Sequence, residues 1–278
     1  RGNCRTTVKG DDLMVSDVSA WWSTSIIDMV PNHISIRGRP IETLIGEVTF
    51  PQMIWLMTRG DLPSEDEAAL LESALVAAVD HGPQAPSVAT ARMAVTCGLG
   101  LNGALASGVN MLDDIHGGAG EQAVELFSMV KDALESNADV EGAATEVCAR
   151  WRAARSKYLP GFGHRFHDVQ DPRAPRLLSL VDDAAAHGTV SGQFAEIARA
   201  VETVLARQGS KAVPLNIDGA TAVIYAELGF AGPLARGLFC LSRSVGLIAH
   251  AWEQMEQGGR NKGPTPPQYR WKYTGEKK

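Results

Sequence analysis

Apolar residues recur every three or four positions along most of this chain. Ala, Leu, Glu and Arg dominate, and β-branched runs are few. That rhythm predicts helix after helix rather than strands. The stretch Glu65–Asp80 is the clearest case: it follows Pro63 and Ser64, and the Ser64 hydroxyl is placed to cap the first turn. The same spacing predicts helices over Val88–Cys97, Glu121–Ser136, Val140–Tyr158, Ala174–His187, Phe194–Gln208, Ala220–Leu228 and Pro233–Gln257, with Pro and Gly punctuating nearly every gap. Only Ser35–Ile36, beside Arg37-Gly38, reads as a strand. Gly98–Asn110 is rich in Gly, Ala and Ser. It suits a linker or a helix that another helix approaches closely, and its apolar stripe (Leu99, Leu101, Leu105, Val109, Leu112) favours the helix. The expected fold class is all-α.

The 278 residues are enough for one large core or two modest ones, and 45% hydrophobic with 21% charged residues is the balance of a soluble globular protein. A formal net charge of -6 and a pI of about 5.7 argue against a nucleic-acid-binding surface. An acidic ligand would need local clusters of Arg and His instead. Cys4, Cys97, Cys148 and Cys240 are scattered with no close pair, against a disulfide scaffold or a cysteine zinc site. No apolar run could span a bilayer and no signal-peptide core opens the chain. A cytoplasmic location is expected, with room for a short leader before Arg1. Gly258–Lys278, rich in Pro, Gly and Lys, is expected to be extended. Its Tyr269, Trp271 and Tyr273 suit pinning to a surface, that of a partner subunit included.

Histidine and arginine bring in the chemistry. His81 lies in Asp80-His81-Gly82-Pro83, and His116 precedes Gly117-Gly118. Pro160-Gly161-Phe162-Gly163 is a Gly-rich turn running into His164-Arg165, with Asp171-Pro172-Arg173 just beyond. Asp218 follows Asn216-Ile217, and Arg243 sits in a helix that continues to His250. Each alone reads more simply as a cap, turn or surface group. No histidine pair has the helical spacing with a nearby carboxylate that zinc prefers, so no metal is expected. Together they suit carbon–carbon bond chemistry at a CoA thioester. A carboxylate moves the α-proton, donors hold the enolate and ketone oxygens, and arginines fix carboxylates. A Gly-rich turn lets a nucleotide approach the backbone.

These motifs and their order resemble the citrate synthase superfamily. Arg37-Gly38-Arg39-Pro40-Ile41-Glu42 and Gly60-Asp61-Leu62-Pro63-Ser64 are similar to its N-terminal region. The Asp80-His81, His116-Gly117-Gly118-Ala119, Pro160–Arg173, Asn216–Asp218 and Ser242–His250 segments follow in family order. The resemblance implies that His116 holds the enolate, Asp218 exchanges the α-proton and His164 serves the ketone or hydroxyl oxygen. It implies that His81, Arg173 and Arg243 hold carboxylates. Pro160, Gly161, Phe162 and Gly163 would form the turn along which CoA lies, with Lys157 or Arg165 at its phosphates. It also implies a homodimer and two helical domains: a large one of residues 1–117 and 227–278, and a smaller one of 118–226 that closes over the ligand.

Chain length and Asp80-His81-Gly82-Pro83 resemble the citryl-CoA lyase branch, including the lyase module of ATP-citrate lyases. Gly263-Pro264 stands where synthases carry Arg-Pro, with Arg260 and Lys262 nearby as substitutes. The expected activity is cleavage of a citryl-CoA-like 3-hydroxyacyl-CoA to acetyl-CoA and oxaloacetate, with the CoA thioester as substrate and no tightly bound cofactor. The alternatives are a citrate or 2-methylcitrate synthase, a citramalyl-CoA-type lyase, and a silent CoA-ester-binding dimer.

Overall fold

Ten α-helices make up most of what is described in the computed structural model, which covers residues 21–137, 139–163, 170–208 and 213–276. His164 and Arg165 lie outside the described residues. The chain divides into two units, Arg1–Ala68 and Ala69–Lys278.

The first unit corrects the strand count. A three-stranded antiparallel sheet runs β1 (Ile27–Val30), β2 (His33–Ile36), β3 (Arg39–Pro40), in which Ile36 pairs with both Ile27 and Arg39. Asn32 has φ 65° behind Pro31, and Arg37 and Gly38 have φ 51° and 77°, as a two-residue hairpin with two positive φ values requires. The Arg37 guanidinium donates to Ser25 Oγ at 2.9 Å and to the Met57 carbonyl at 2.8 Å. A helix outside the sequence expectation follows, α1 (Phe50–Arg59). Thr49 and Gln52 form a reciprocal capping box at its head, and Pro51 in the first turn, where no N–H partner is needed, suits the same start. Ile36, Leu44 and Leu56 form the unit's small core. α2 (Glu65–Ala77), within which the division falls, starts at Ser64 as expected. Ser64 N–H donates to Glu67 Oε2 at 2.8 Å, and Glu67 N–H donates to Ser64 Oγ at 3.2 Å.

The second unit continues through α3 (Pro86–Thr96), α4 (Leu101–Val109), α5 (Ala119–Ala133), α6 (Val140–Ala154), α7 (Arg173–Ala186), α8 (Gln193–Gln208), α9 (Ile217–Glu227) and α10 (Gly232–Gln257). The small-residue stretch is helical and closely packed. Ala85, Val88, Ala91, Ala104, Leu247 and Ala251 form one cluster of α3, α4 and α10. A Cβ on Gly108 would stand 2.9 Å from Leu247 and 3.1 Å from the Ser87 carbonyl. α9 is apolar nearly all round and buried against α5, α7 and α8, as a helix without a polar face must be. It begins three residues earlier than its apolar rhythm suggests, because the Asn216 side chain accepts from Gly219 N–H at 3.1 Å and caps it. α6 stops earlier, where Arg155 leaves helical geometry at φ -130°. No helix among the described residues is long and apolar enough to cross a membrane.

Candidate active site around Arg243

The buried Arg243 guanidinium is the hub for three of the sequence candidates, His116, Asp218 and Arg173, which lie within its electrostatic reach. It sits 4.8 Å from the Phe239 ring centroid, and its Nε donates to the Ala78 carbonyl at 3.1 Å. Burial pushes its pKa down, while Asp218 and Asp80 within electrostatic reach pull it back up and Arg173 opposes them. A cation kept this dry is worth retaining where an anion is to be met, because its field is unscreened.

His116 lies in the Asp113–Gly118 connection. Gly117 takes φ 108°, and a Cβ on Gly118 would strike the Asp114 backbone at 2.7 Å, so the two glycines let this turn close. Arg236 on α10 grips the connection through Asp113 at 2.6 Å and Asp114 at 2.5 Å, and also pairs with Glu121. The imidazole Nε2 accepts from Ser87 N–H at 3.2 Å, in the first turn of α3, and stands 3.0 Å from Ser87 Oγ. Accepting there leaves Nδ1 as the protonated nitrogen. Burial pushes the His116 pKa down and the Arg243 charge pushes the same way. His116 is therefore a neutral Nδ1–H donor at neutral pH.

Asp218 occupies the first turn of α9, and its carboxylate makes no hydrogen bond among the described residues. Some of its surface stays open, but protein atoms surround it densely. Burial pushes its pKa up, and Arg243 and Arg173 counter this while Asp171 adds to it. Its position is set by backbone contact with the Gly-rich turn. Gly163 N–H donates to the Pro214 carbonyl at 2.7 Å and Asn216 N–H to the Gly161 carbonyl at 3.0 Å. Asn216 Nδ2 donates to the Gly163 carbonyl at 2.6 Å. Gly161, at φ 84°, lies so near Gly219 that a Cβ on it would fall 2.7 Å from the Gly219 Cα.

Arg173 heads α7, its fork closed on Asp171 with Nε and Nη2 both at 2.9 Å. Asp171 is buried and also accepts from Ile217 N–H at 3.1 Å, tying Arg173 to the head of α9. Burial would raise the Asp171 pKa, yet the Arg173 fork and the two N–H groups hold it below the usual carboxylate range. His81 is exposed in the turn after α2. Pro160–Gly163 lies elsewhere on the same loop system, beside an open cleft of about 550 Å³ lined by Ile115, Trp151, Arg155, Tyr158, Pro160 and Arg236. Lys157 is not among the cleft's lining residues, and its ammonium lies over the Tyr158 ring at 4.8 Å.

Arg243 thus gathers His116, Asp218, Arg173 and the Asp80 carboxylate. Arg236 and Asp171, which orient these groups, escaped the sequence reading. Asp171 carried a signal in Asp171-Pro172-Arg173, whereas Arg236 looked like any surface cation on a helix. A neutral N–H donor, a carboxyl of raised pKa and two fixed guanidiniums can together hold a polycarboxylate, stabilise an enolate oxygen and move a proton at the adjacent carbon.

Residues 64–265 match the family model for the citrate synthase C-terminal domain. The chain belongs to the citrate synthase family. It is 31% identical over 222 residues to citrate synthase from Haloferax volcanii, covering 80% of this chain and 54% of that one. Its fold is similar to that of citryl-CoA lyase from Hydrogenobacter thermophilus, with a TM-score of 0.80, 31% identity, and 93% and 96% of the two chains covered. ATP citrate lyase from Methanothrix soehngenii, solved with citrate and coenzyme A, shares the fold at a TM-score of 0.76 and 22% identity, over 99% of this chain and 47% of that one. The chain spans about half the length of the curated relatives it matches.

Proposed function

We propose that this protein is a citryl-CoA lyase-like enzyme, cleaving a citryl-CoA-like 3-hydroxyacyl-CoA to acetyl-CoA and oxaloacetate. His164 takes the tertiary hydroxyl proton, the carbon–carbon bond breaks, and its electrons pass to the thioester oxygen as the ketone forms. His116 holds that enolate oxygen with Nδ1–H. Asp218, in its acid form, protonates the enolate carbon to give acetyl-CoA. Arg173, Arg243 and His81 hold the carboxylates. The CoA arm runs along Pro160–Gly163 and the adjoining cleft, with Lys157 and Arg165 available to its phosphates. The observation that carries the reading is a neutral His116 donor and an Asp218 of raised pKa within the field of one buried arginine. The lyase likeness, which covers nearly the whole of both chains, favours cleavage.

Residues 118–226 act as the smaller lobe that closes, since Arg173 and Asp218 come from it while His116 and Arg243 come from outside it. The protein works as a cytoplasmic homodimer. Along α10, Leu234, Leu241, Val245, Ile248, Trp252 and Met255 are exposed, at one spacing of seven followed by alternating spacings of four and three. That is an unpartnered helical seam suited to a second copy.

Relatives named citrate synthase at 31% identity favour a second reading, condensation of an acyl-CoA with oxaloacetate. Product analysis separates the two. Citryl-CoA converted to acetyl-CoA and oxaloacetate without free CoA supports the lyase, and steady thiol release from acetyl-CoA or propionyl-CoA plus oxaloacetate supports the synthase. A citramalyl-CoA-type lyase is the third arm of that panel. It draws on Gly263 and on Lys262, whose ammonium is 3.3 Å from Gln254 Oε1.

A further inference from the structure

α10 holds the Ala78–Gly82 turn at successive levels. Ser242 Oγ donates to the Leu75 carbonyl at 2.5 Å, and Arg243 Nε to the Ala78 carbonyl at 3.1 Å. One turn on, Gly246 has no side chain because the Val79 carbonyl and Asp80 occupy that space. A further turn on, His250 Nε2 stands 3.2 Å from Asp80 Oδ1. That carboxylate oxygen is buried and makes no hydrogen bond of good geometry among the described residues, so the ring nitrogen beside it is a close ion-pair contact rather than an aligned bond. The other oxygen, Oδ2, accepts from Gly82 N–H at 3.1 Å. On the far side of the ring, Arg92 Nη1 stands 3.2 Å from His250 Nδ1. Arg92 is itself fixed by Glu253 at 2.6 Å, Gln254 at 3.1 Å and Gln257 at 2.9 Å.

A guanidinium can only donate, so Nδ1 is the acceptor and Nε2 carries the proton that faces Asp80. Burial raises the Asp80 pKa, yet His250 and the Gly82 and His81 N–H groups outweigh it and hold the carboxyl down. Asp80 is thus an anion held between a ring nitrogen at 3.2 Å and the backbone of the turn that presents His81. It is also one of the charges felt by Arg243.

We infer that His250 is a positioning residue: the chain Arg92 → His250 → Asp80 sets the His81 turn and so the grip on the substrate's oxo-acid carboxylates. This rests on the reading that His81 holds a carboxylate. The role is one of binding, so ground-state affinity changes while the chemical step does not.

The experiment measures the oxaloacetate Kd by calorimetry, which needs no turnover, and kcat for citryl-CoA cleavage. The proteins are the wild type, His250→Phe, His250→Gln and His81→Ala. Gln offers an N–H near the Nε2 position and Phe offers none. The expected result is a Kd about tenfold weaker in His250→Phe, the loss of one charge-assisted bond. His250→Gln should restore most of it, kcat should be nearly unchanged, and the two variants should share one thermal midpoint. A wild-type Kd in His250→Phe overturns the inference, as does a loss that Gln fails to rescue when both variants melt alike. His81→Ala separates the two levels. If it weakens Kd while His250→Phe does not, only the positioning role falls. If it leaves Kd unmoved, the carboxylate-holding reading of His81 falls and the relay's purpose with it.

Discussion

Asp218 carries a cost in stability that its proposed chemistry requires. Its pKa in the folded protein is raised by burial, above the value of about 3.9 expected of the unfolded chain. The folded state then binds more protons over that window, so stability falls as pH rises from about 4 through the raised folded value. Asp218→Asn should therefore melt higher than the wild type at pH 7, by about 2–4 °C for each kcal/mol relieved in a chain of this size. The gain should shrink as pH falls towards 4, and turnover should be lost. Equal melting at both pH values would show that the carboxylate is not in a costly place. His116 runs the opposite way: its lowered pKa means stability is lost as pH falls through the ordinary histidine range. Removing its donor in His116→Ala should lower kcat about 10²–10³-fold, the usual effect of deleting one oxyanion donor, with CoA-ester affinity nearly kept. The sequence reading singled out both residues by their neighbours, two glycines after His116 and an apolar setting after Pro214 for Asp218. The place of Arg243 among them was not readable, since one arginine on a long helix shows nothing of what four other segments place around it.

At the scale of elements, glycine positions decide how closely backbones meet. Gly161→Ala would drive a methyl into Gly219 from a φ of 84°, displacing the head of α9 that carries Asp218. The expected outcome is a drop in kcat beyond the thermal loss, seen when activity and melting are measured together. Glu227 offers a control remote from the chemistry. Its carboxylate accepts from the N–H groups of Ser191, Gly192 and Phe194 and from Ser191 Oγ, capping α8 from outside. Glu227→Ala should cost about 1–2 kcal/mol of stability, as loss of a helix cap does, while kcat stays near wild type. The long helices were readable because a 3.6-residue period persists over many turns. The sheet and α1 were less so. β1 is exposed throughout and lacks the alternation that marks a half-buried strand, and α1's start lay in capping chemistry rather than in periodicity.

For the whole molecule, the exposed seam on α10 is the surface on which the proposed dimer rests. Val245→Glu with Ile248→Glu puts charge into the middle of the seam, where exposure of 59% and 43% leaves room for the substitutions in one copy but not between two. Light scattering should read a dimer for the wild type and a monomer for the double variant, and a wild-type monomer would remove the seam's assignment. The mostly helical fold expected from the sequence agrees with the structure. No single-chain pattern marks which apolar stripe faces a partner, because it is as periodic as the stripes that face the core.

The most direct test is citryl-CoA cleavage in D2O, with the acetyl-CoA analysed by mass. The wild type should place a single deuterium in the acetyl methyl at each turnover, and Asp218→Asn should bind citryl-CoA yet yield almost no acetyl-CoA. Labelled acetyl-CoA formed by Asp218→Asn at the wild-type rate would contradict enolate protonation at this site.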